Sequence, residues 1–486
     1  MKVNLLNSGE PHKPVWNWET LKVDLALDSL MKAMSHGDDT IYKSAETVIS
    51  SPLTDPDAVR YRQEVLEDCI HNKGLVRNLY KIASAVVMRQ DEKDLIYGAA
   101  QTASHQFDVS RKRLRLLIDA LGELKKFAGD NAAIFSSNGF RRLFADWDEN
   151  LDAVFFEKAE DLLKQLSFER GMLIGVSLSG IGQSTGQRLL VNHESDSKWS
   201  CIGSFAIVPA DSSVEDDLLY RQETVKSGCN RSLSGAALDI ENYFRSLLQE
   251  LAFYIGCLNF MELLAERGIS FCIPDVTADG ERKAETLFEL GIAISDQAEI
   301  IGSSFDLNGK HCVIITGADL GGKSTFLRSI GQSQLMLLCG MPVVARYYSA
   351  PVAAGIYTHF LREEDKAMKN GKLNEELTRM NCIADHLTPG SVVLFDESFC
   401  STNEREGSEI ARQIIKALLE TGNDVFMVTH LYRLAKTLYD ENDPAFAFLI
   451  AERLSDGRRT KRIISGLPQP TGYGKDLYNE VFGIQC

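Results

Sequence analysis

Apolar positions recur at helical spacing through the first half of the chain and then give way to short apolar runs. Leu27, Leu30, Met31 and Met34 fall at i, i+3, i+4 and i+7, one face of a helix, and the stretch breaks at Gly37. Leu114, Leu117, Ile118, Leu121 and Leu124 repeat the pattern behind a basic run, Arg111-Lys112-Arg113-Leu114-Arg115. The block from Leu238 to Glu266 is the longest. There Ile240, Tyr243, Phe244, Leu247, Leu248, Leu251, Ile255 and Leu258 mark one face, and Gly268 ends it. A helix of about 30 residues spans roughly 45 Å at 1.5 Å per residue, so it reads as a strut between distant parts. From Met172 to Pro209, Gly and Ser become frequent and short apolar runs alternate with turn signals, which predicts a small β insertion.

Past residue 268 the rhythm changes. HCVIIT (311–316), SVVLFD (391–396), DVFMVT (424–429) and FAFLIAERL (446–454) read as strands separated by segments of helical pattern. That alternation implies a mostly parallel sheet covered on both faces. Gly268, Pro274, Asp279 and Gly280 cluster at the junction. The expected organisation is multidomain: residues 1–268 as a mostly α-helical core and lever carrying the β insertion at about 172–209, and residues 269–486 as an α/β domain.

Composition narrows this picture modestly. The 486 residues are 44% hydrophobic and 25% charged, ordinary for a folded protein. Lys and Arg total 52 against 68 Asp and Glu, a net charge of −16. This argues against a histone-like coating of nucleic acid and leaves room for a local basic patch. No run of about 18 apolar residues occurs, and MKVNLLNSGEPHKPVWNW lacks a signal-peptide core, so the expected setting is cytoplasmic with no membrane segment. The ten cysteines form no C-x-x-C pair and read as reduced, mostly buried thiols.

The chemistry is concentrated in the second half. Gly317-Ala318-Asp319-Leu320-Gly321-Gly322-Lys323-Ser324 fits G-x-x-x-x-G-K-[ST]. Average residue frequencies give that pattern in about 2% of chains this long by chance. An apolar strand precedes it and a helical stretch follows, the strand–loop–helix setting of a phosphate loop. Glycines admit phosphate oxygens to the backbone, N–H groups at the helix start point at the anion, and Lys323 reaches the β- and γ-phosphates. The candidate nucleotide contacts are Gly317, Gly321, Gly322, Lys323, Ser324 and Thr325. Phe305, upstream of the strand, is either an adenine-stacking ring or a buried core residue. About 70 residues after the loop, an apolar strand ends in Asp396-Glu397. Asp396 with Ser324 would hold Mg²⁺, and Glu397 would orient or deprotonate the attacking water. His430 ends the next strand, where it could meet the γ-phosphate or its water. The expected catalytic set is therefore Lys323, Glu397 and His430, with ATP and Mg²⁺. The basic clusters at 111–115 and 458–462 read better as solvated surface than as phosphate contacts.

These residues and their order resemble the MutS family of DNA mismatch-repair ATPases. The family's phosphate loop T-G-P-N-M-[AG]-G-K-[ST]-T is similar to Thr316–Thr325, with Ala318-Asp319 in place of Pro-Asn. Its D-E-x-x-x-G-T-[SN] stretch resembles Asp396–Asn403, with Ser401 in place of Gly, and its T-H strand end matches Thr429-His430. A loop of the form S-T-F-M-x-E-M, which in the family's dimers reaches the partner's ATP site, corresponds to Gly371–Leu377, where Glu376 matches. Thr471–Gly474 resembles the family's S-Y-G turn, and the β insertion sits where a DNA clamp is inserted in the helical core. The resemblance implies a minimal member lacking the mismatch-reading and connector domains. It implies a P-loop ATPase domain, a homodimer, and ATP-driven conformational change on structured or mismatched DNA in repair or recombination. An alternative from another class is an ATP-driven clamp or scaffold that acts on protein or ribonucleoprotein partners without binding DNA.

Overall fold

The computed structural model describes residues 1–6, 13–96, 102–168, 172, 174–178, 180, 184–189, 212–277, 280–295, 300–361, 371–454 and 458–469. In chain order the helices are α1 (Trp18–Asp24), α2 (Leu27–Ser35), α3 (Asp39–Ile49), α4 (Pro56–His71), α5 (Lys73–Ile96), α6 (Ala103–Asn131), α7 (Asn138–Asn150), α8 (Ala153–Gln165), α9 (Ser212–Glu266), α10 (Leu290–Ala293), α11 (Lys323–Leu338), α12 (Lys372–His386), α13 (Glu404–Glu420) and α14 (Tyr432–Asp440). The strands are β1 (Ile174–Leu178), β2 (Ser184–Leu189), β3 (Asp275–Thr277), β4 (Lys283–Leu287), β5 (Ser303–Asp306), β6 (Cys312–Gly317), β7 (Tyr347–Pro351), β8 (Ile356–Phe360), β9 (Val392–Asp396), β10 (Asp424–Val428), β11 (Phe446–Arg453) and β12 (Arg459–Ser465). The N-terminal region is thus helical and the C-terminal region α/β.

Several helix starts follow from local chemistry. Asp38 caps α3 by accepting from the N–H groups of Thr40 and Ile41, and Asp55 caps α4, where Pro56 occupies the first helical turn. Asn403 caps α13 through the Glu406 N–H. At its far end α9 closes with Gly268 at φ +68°, and the Ile269 N–H reaches back to the Leu264 carbonyl.

α9 is 55 residues long, about 82 Å at 1.5 Å per residue, and starts 26 residues before the Leu238 read from periodicity. The added stretch, 212–237, contains Gly228 and Gly235 and few apolar residues, so no stripe announces it. It is anchored through isolated buried positions such as Val225, Leu233 and Ala237. A window of α9 has the length and hydropathy of a membrane span, but 72% of it is buried inside the protein, as in a core helix.

The chain divides into two compact units, 1–4 with 74–136 and 140–251, and 5–73 with 137–139 and 252–486. The boundary expected at 268 falls inside the second unit, which also takes in the N-terminal helices α1–α4. In the first unit Phe107, Leu114, Ile118, Leu163, Leu166 and Leu233 form a core on which Phe168 stacks. The run at 111–115 is held by acids: Arg113 pairs with buried Glu241, and Arg115 with Glu160 and Asp119. β1 and β2 pair as an antiparallel hairpin within the expected β insertion, whose remainder lies outside the described residues.

The second unit holds a six-stranded sheet of order β12-β11-β6-β10-β9-β8 and a four-stranded sheet of order β3-β7-β4-β5. In the larger sheet β11, β6, β10, β9 and β8 run parallel, and β12 turns back antiparallel on β11. β6 and β8 are buried at every position, as expected for parallel strands covered on both faces. The N-terminal segment is bonded into this unit. Asn17 donates to the Ile356 carbonyl at 3.0 Å, and fully buried Arg62 donates to the Leu6 carbonyl at 2.6 Å. The sequence carries no pattern for this, because backbone carbonyls are the acceptors.

Candidate active site

Register alone aligns three strand ends. β10 lies between β6 and β9, with Val428 opposite both Ile315 and Asp396. The loop after β6, the acid pair ending β9 and Thr429-His430 after β10 therefore emerge side by side.

The loop 317–322 is built on glycines that no larger residue could replace in place. Gly317 and Gly322 have φ of +112° and +90°. A Cβ on Gly321 would sit 2.6 Å from the Ala451 Cβ, and one on Gly322 would sit 3.1 Å from the Lys461 carbonyl oxygen. The hairpin of β11 and β12 thus covers the loop with backbone, and Lys461 of the 458–462 cluster belongs to this cover. α11 begins at Lys323, whose side chain is 6% exposed; its ammonium donates to the Gly317 and Ala318 carbonyls at 2.9 and 3.1 Å. Thr325 follows, half-buried in the first turn. α11 is fixed from behind by Gln332. Its amide donates to the Leu25 carbonyl and to Glu289 and accepts from the Leu290 N–H, at 2.8–2.9 Å.

The Ser324 hydroxyl donates to the Asp396 carboxylate at 2.9 Å. Burial pushes the Asp396 carboxyl above its ordinary range, an effect opposed by that hydrogen bond. A hydroxyl and a carboxylate at the foot of the glycine loop are hard oxygen donors of the kind Mg²⁺ takes alongside phosphate and water. Among the described residues no cluster of three or more His, Cys, Asp or Glu side chains is set to hold a metal unaided.

Glu397 follows in the left-handed region, φ +53°, with its N–H bonded to the Val428 carbonyl at 3.0 Å. That backbone turn brings its carboxylate 2.7 Å from His430 Nε2. The hydrogen bond to His430 holds Glu397 below its ordinary range, and the same bond raises His430. His430 Nε2 also lies 3.2 Å from Asp319, which is 3.5 Å from the Lys323 ammonium. Lys323, Ser324, Asp396, Glu397 and His430 are therefore in one place.

Phe305 is 8% exposed and packs edge-on against Phe326 of α11, ring centroids 5.8 Å apart. Glu376 is also turned inward. At 4% exposure it accepts from the Phe399 N–H at 2.7 Å and the Ser401 hydroxyl at 2.6 Å, gripping the turn that carries Glu397 within its own chain. Buried His359 joins this support through the Ser398 hydroxyl at 2.7 Å and the Glu376 carbonyl at 3.0 Å. Sequence reasoning missed the roles of His359, Ser398 and Asp319. Only Asp319, an acid inside the G-x-x-x-x-G-K-[ST] motif, offered a signal. Thr471–Gly474 lies outside the described residues.

Two family models match the chain. The MutS2 N-terminal domain matches residues 54–267, and MutS domain V matches residues 313–458. The chain belongs to the MutS family. The second match contains Gly317, Gly321, Gly322, Lys323, Ser324, Thr325, Asp396, Glu397 and His430. Relatives include the DNA mismatch repair protein MutS of Thermotoga sp. (strain RQ2), 34% identical over 26% of this chain and 16% of that protein. The Endonuclease MutS2 of Anaeromyxobacter sp. (strain Fw109-5) is 32% identical over 28% and 17% respectively. The mouse (Mus musculus) MutS protein homolog 4 is 29% identical over 29% and 15%. The matched stretches thus span about one sixth of the length of these MutS-family relatives.

Proposed function

We propose that this MutS-family chain hydrolyses ATP with Mg²⁺ and uses the cycle to change conformation on structured or mismatched DNA, as a cytoplasmic homodimer. The observation that carries the reading is the bond between Ser324 and Asp396, 72 residues apart, at the foot of a glycine loop and beside the Glu397–His430 pair. Lys323 and the loop N–H groups would bind the β- and γ-phosphates, and Ser324 and Asp396 would hold Mg²⁺. When bound, Mg²⁺ supplies charge neutralisation to the phosphates. Glu397 is the group for the attacking water. Its carboxylate, fixed by His430, would orient or deprotonate that water. α9, whose residues are shared between the two units, is suited to link ATP turnover to a DNA-holding part of the molecule. The names of relatives that act in DNA mismatch repair support DNA as the partner.

The test is phosphate release by the purified chain with Mg²⁺, alone and with homoduplex, mismatched and forked DNA. Turnover that DNA stimulates, with a steep dependence on salt, is the expected result. Turnover indifferent to every DNA favours a clamp acting on protein or ribonucleoprotein. Lack of Mg²⁺-dependent phosphate release, or undiminished release by Lys323→Ala, overturns the ATPase assignment.

A further inference from the structure

The loop that would cradle phosphate carries its own anion. Asp319 projects from the loop with its side chain 46% exposed, and its Oδ1 faces the Lys323 ammonium at 3.5 Å and His430 Nε2, a cation when the ring is protonated, at 3.2 Å. The Lys323 ammonium has three protons and no acceptor, and three oxygens surround it: the Gly317 and Ala318 carbonyls and Asp319. His430 Nε2 in turn faces two carboxylates, Glu397 and Asp319. The loop thus satisfies its cations internally, and an incoming polyphosphate must compete with Asp319 for both of them.

We propose that Asp319 is a built-in competitor for the terminal phosphates, setting how tightly the site holds a nucleoside triphosphate and how far it favours the triphosphate over the diphosphate. The proposal rests on the nucleotide-binding reading above. A β-phosphate competes mainly at Lys323. A γ-phosphate, placed beside Glu397 and His430, competes at both cations and meets the carboxylate as a like charge. Asp319 therefore weakens triphosphate more than diphosphate, and it is the only carboxylate in the loop sequence 317–322. Removing its charge while keeping its shape isolates the effect, and a half-exposed loop side chain can change without disturbing the core.

The experiment is equilibrium binding of ATPγS and ADP, each with Mg²⁺, to the full chain and to Asp319→Asn, at low and high salt. The expected result is about tenfold tighter ATPγS binding by the variant, a smaller gain for ADP, and a difference that shrinks as salt screens the charges. Equal or weaker ATPγS binding by Asp319→Asn overturns the proposal while leaving nucleotide binding intact; weaker binding would mark Asp319 as a ligand-holding group instead. Equal gains for the two nucleotides, or a gain indifferent to salt, also overturn it. If neither protein binds either nucleotide, the underlying functional reading falls with it.

Discussion

Two loops leave the C-terminal ends of β6 and β9, the parallel strands that flank β10 in the six-stranded sheet, and they are held by different means. The loop after β6 reaches positive φ at Gly317, Leu320 and Gly322, and at its two glycines a missing Cβ makes the conformation inexpensive. The turn after β9 reaches positive φ at Glu397 and Phe399, +53° and +64°, where a side chain makes it costly. The first loop is held by its own carbonyls on Lys323 and by the β11–β12 hairpin packed over it at Ala451 and Lys461. The second is propped from three elements: Glu376 of α12, His359 of β8, and Gly407 of α13, whose missing side chain leaves room for the Phe399 carbonyl. A loop that binds can be permissive, whereas a turn that aims one carboxylate must be overdetermined.

The sharpest way to separate the two loops is to remove one functional group from each. Lys323→Ala should abolish measurable nucleotide binding, because it deletes the cation of the first loop. Glu397→Gln should keep binding and slow hydrolysis by about 10²–10⁴-fold, the range for loss of a positioned acid–base group. Titration with a fluorescent ATP analogue, alongside single-turnover phosphate release, checks both. Normal turnover by Glu397→Gln would erase the distinction.

The next effect tests whether the second turn depends on its props. Glu376→Ala leaves the buried Phe399 N–H and Ser401 hydroxyl without their acceptor, at a cost of about 1–3 kcal/mol in unfolding free energy. Denaturant unfolding measures that loss. If the turn aims Glu397, hydrolysis should slow in the folded variant while nucleotide affinity stays unchanged, and Glu376→Gln should fall between wild type and Ala. A stability loss with unaltered turnover would reduce Glu376 to a structural residue.

A smaller effect is expected at Gly407, where a Cβ would lie 2.3 Å from the Phe399 carbonyl oxygen. Gly407→Ala must push that carbonyl aside, and overpacking of this kind costs about 1–3 kcal/mol, reduced here by a gain in helix propensity of up to about 1 kcal/mol within α13. The variant should melt a few degrees lower and turn over more slowly, with Lys323-dependent binding retained. An unshifted melting temperature would mean that the turn can move freely.

The same contrast explains what could be read from the sequence. The first loop announces itself, because glycines at fixed spacing are needed locally and Lys323-Ser324 follow at once. The parallel strands were legible for a similar reason, since burial on both faces writes continuous apolar runs such as Cys312–Ile315. The support of the second turn was not legible. Its hydrogen-bonding partners, Glu376 and His359, come from 23 to 39 residues away on other elements, and Glu376 in isolation looks like any helix-surface acid. The early start of α9 was hidden because a polar stretch can be helical without a stripe. The attachment of residues 5–73 to the α/β part was hidden because hydrogen bonds to carbonyls, from Asn17 to Ile356 and from Arg62 to Cys339, leave no mark in side-chain pattern.

The smallest predicted effect concerns the ion pair that bridges the two loops. His430 faces Glu397, Asp319 and Lys323, and its net shift is upward, led by the hydrogen bond it donates to Glu397. Its stabilising contribution is full below the ordinary histidine value near 6.5 and is lost as pH rises through the raised one. Glu397 is shifted downward, led by His430, so its contribution is full above the ordinary carboxylate value near 4.5 and is lost as pH falls through the depressed one. The pair therefore stabilises most between about pH 4.5 and 6.5. Both side chains are about one-third exposed, so solvent screening limits the contribution to about 0–1 kcal/mol. Melting temperatures of wild type and His430→Gln measured from pH 4 to 9 should differ most inside that window and converge on the alkaline side. A difference that grows above pH 7 would mean that His430 acts as a neutral hydrogen-bonding ring, and the two loops would then be joined by shape rather than by charge.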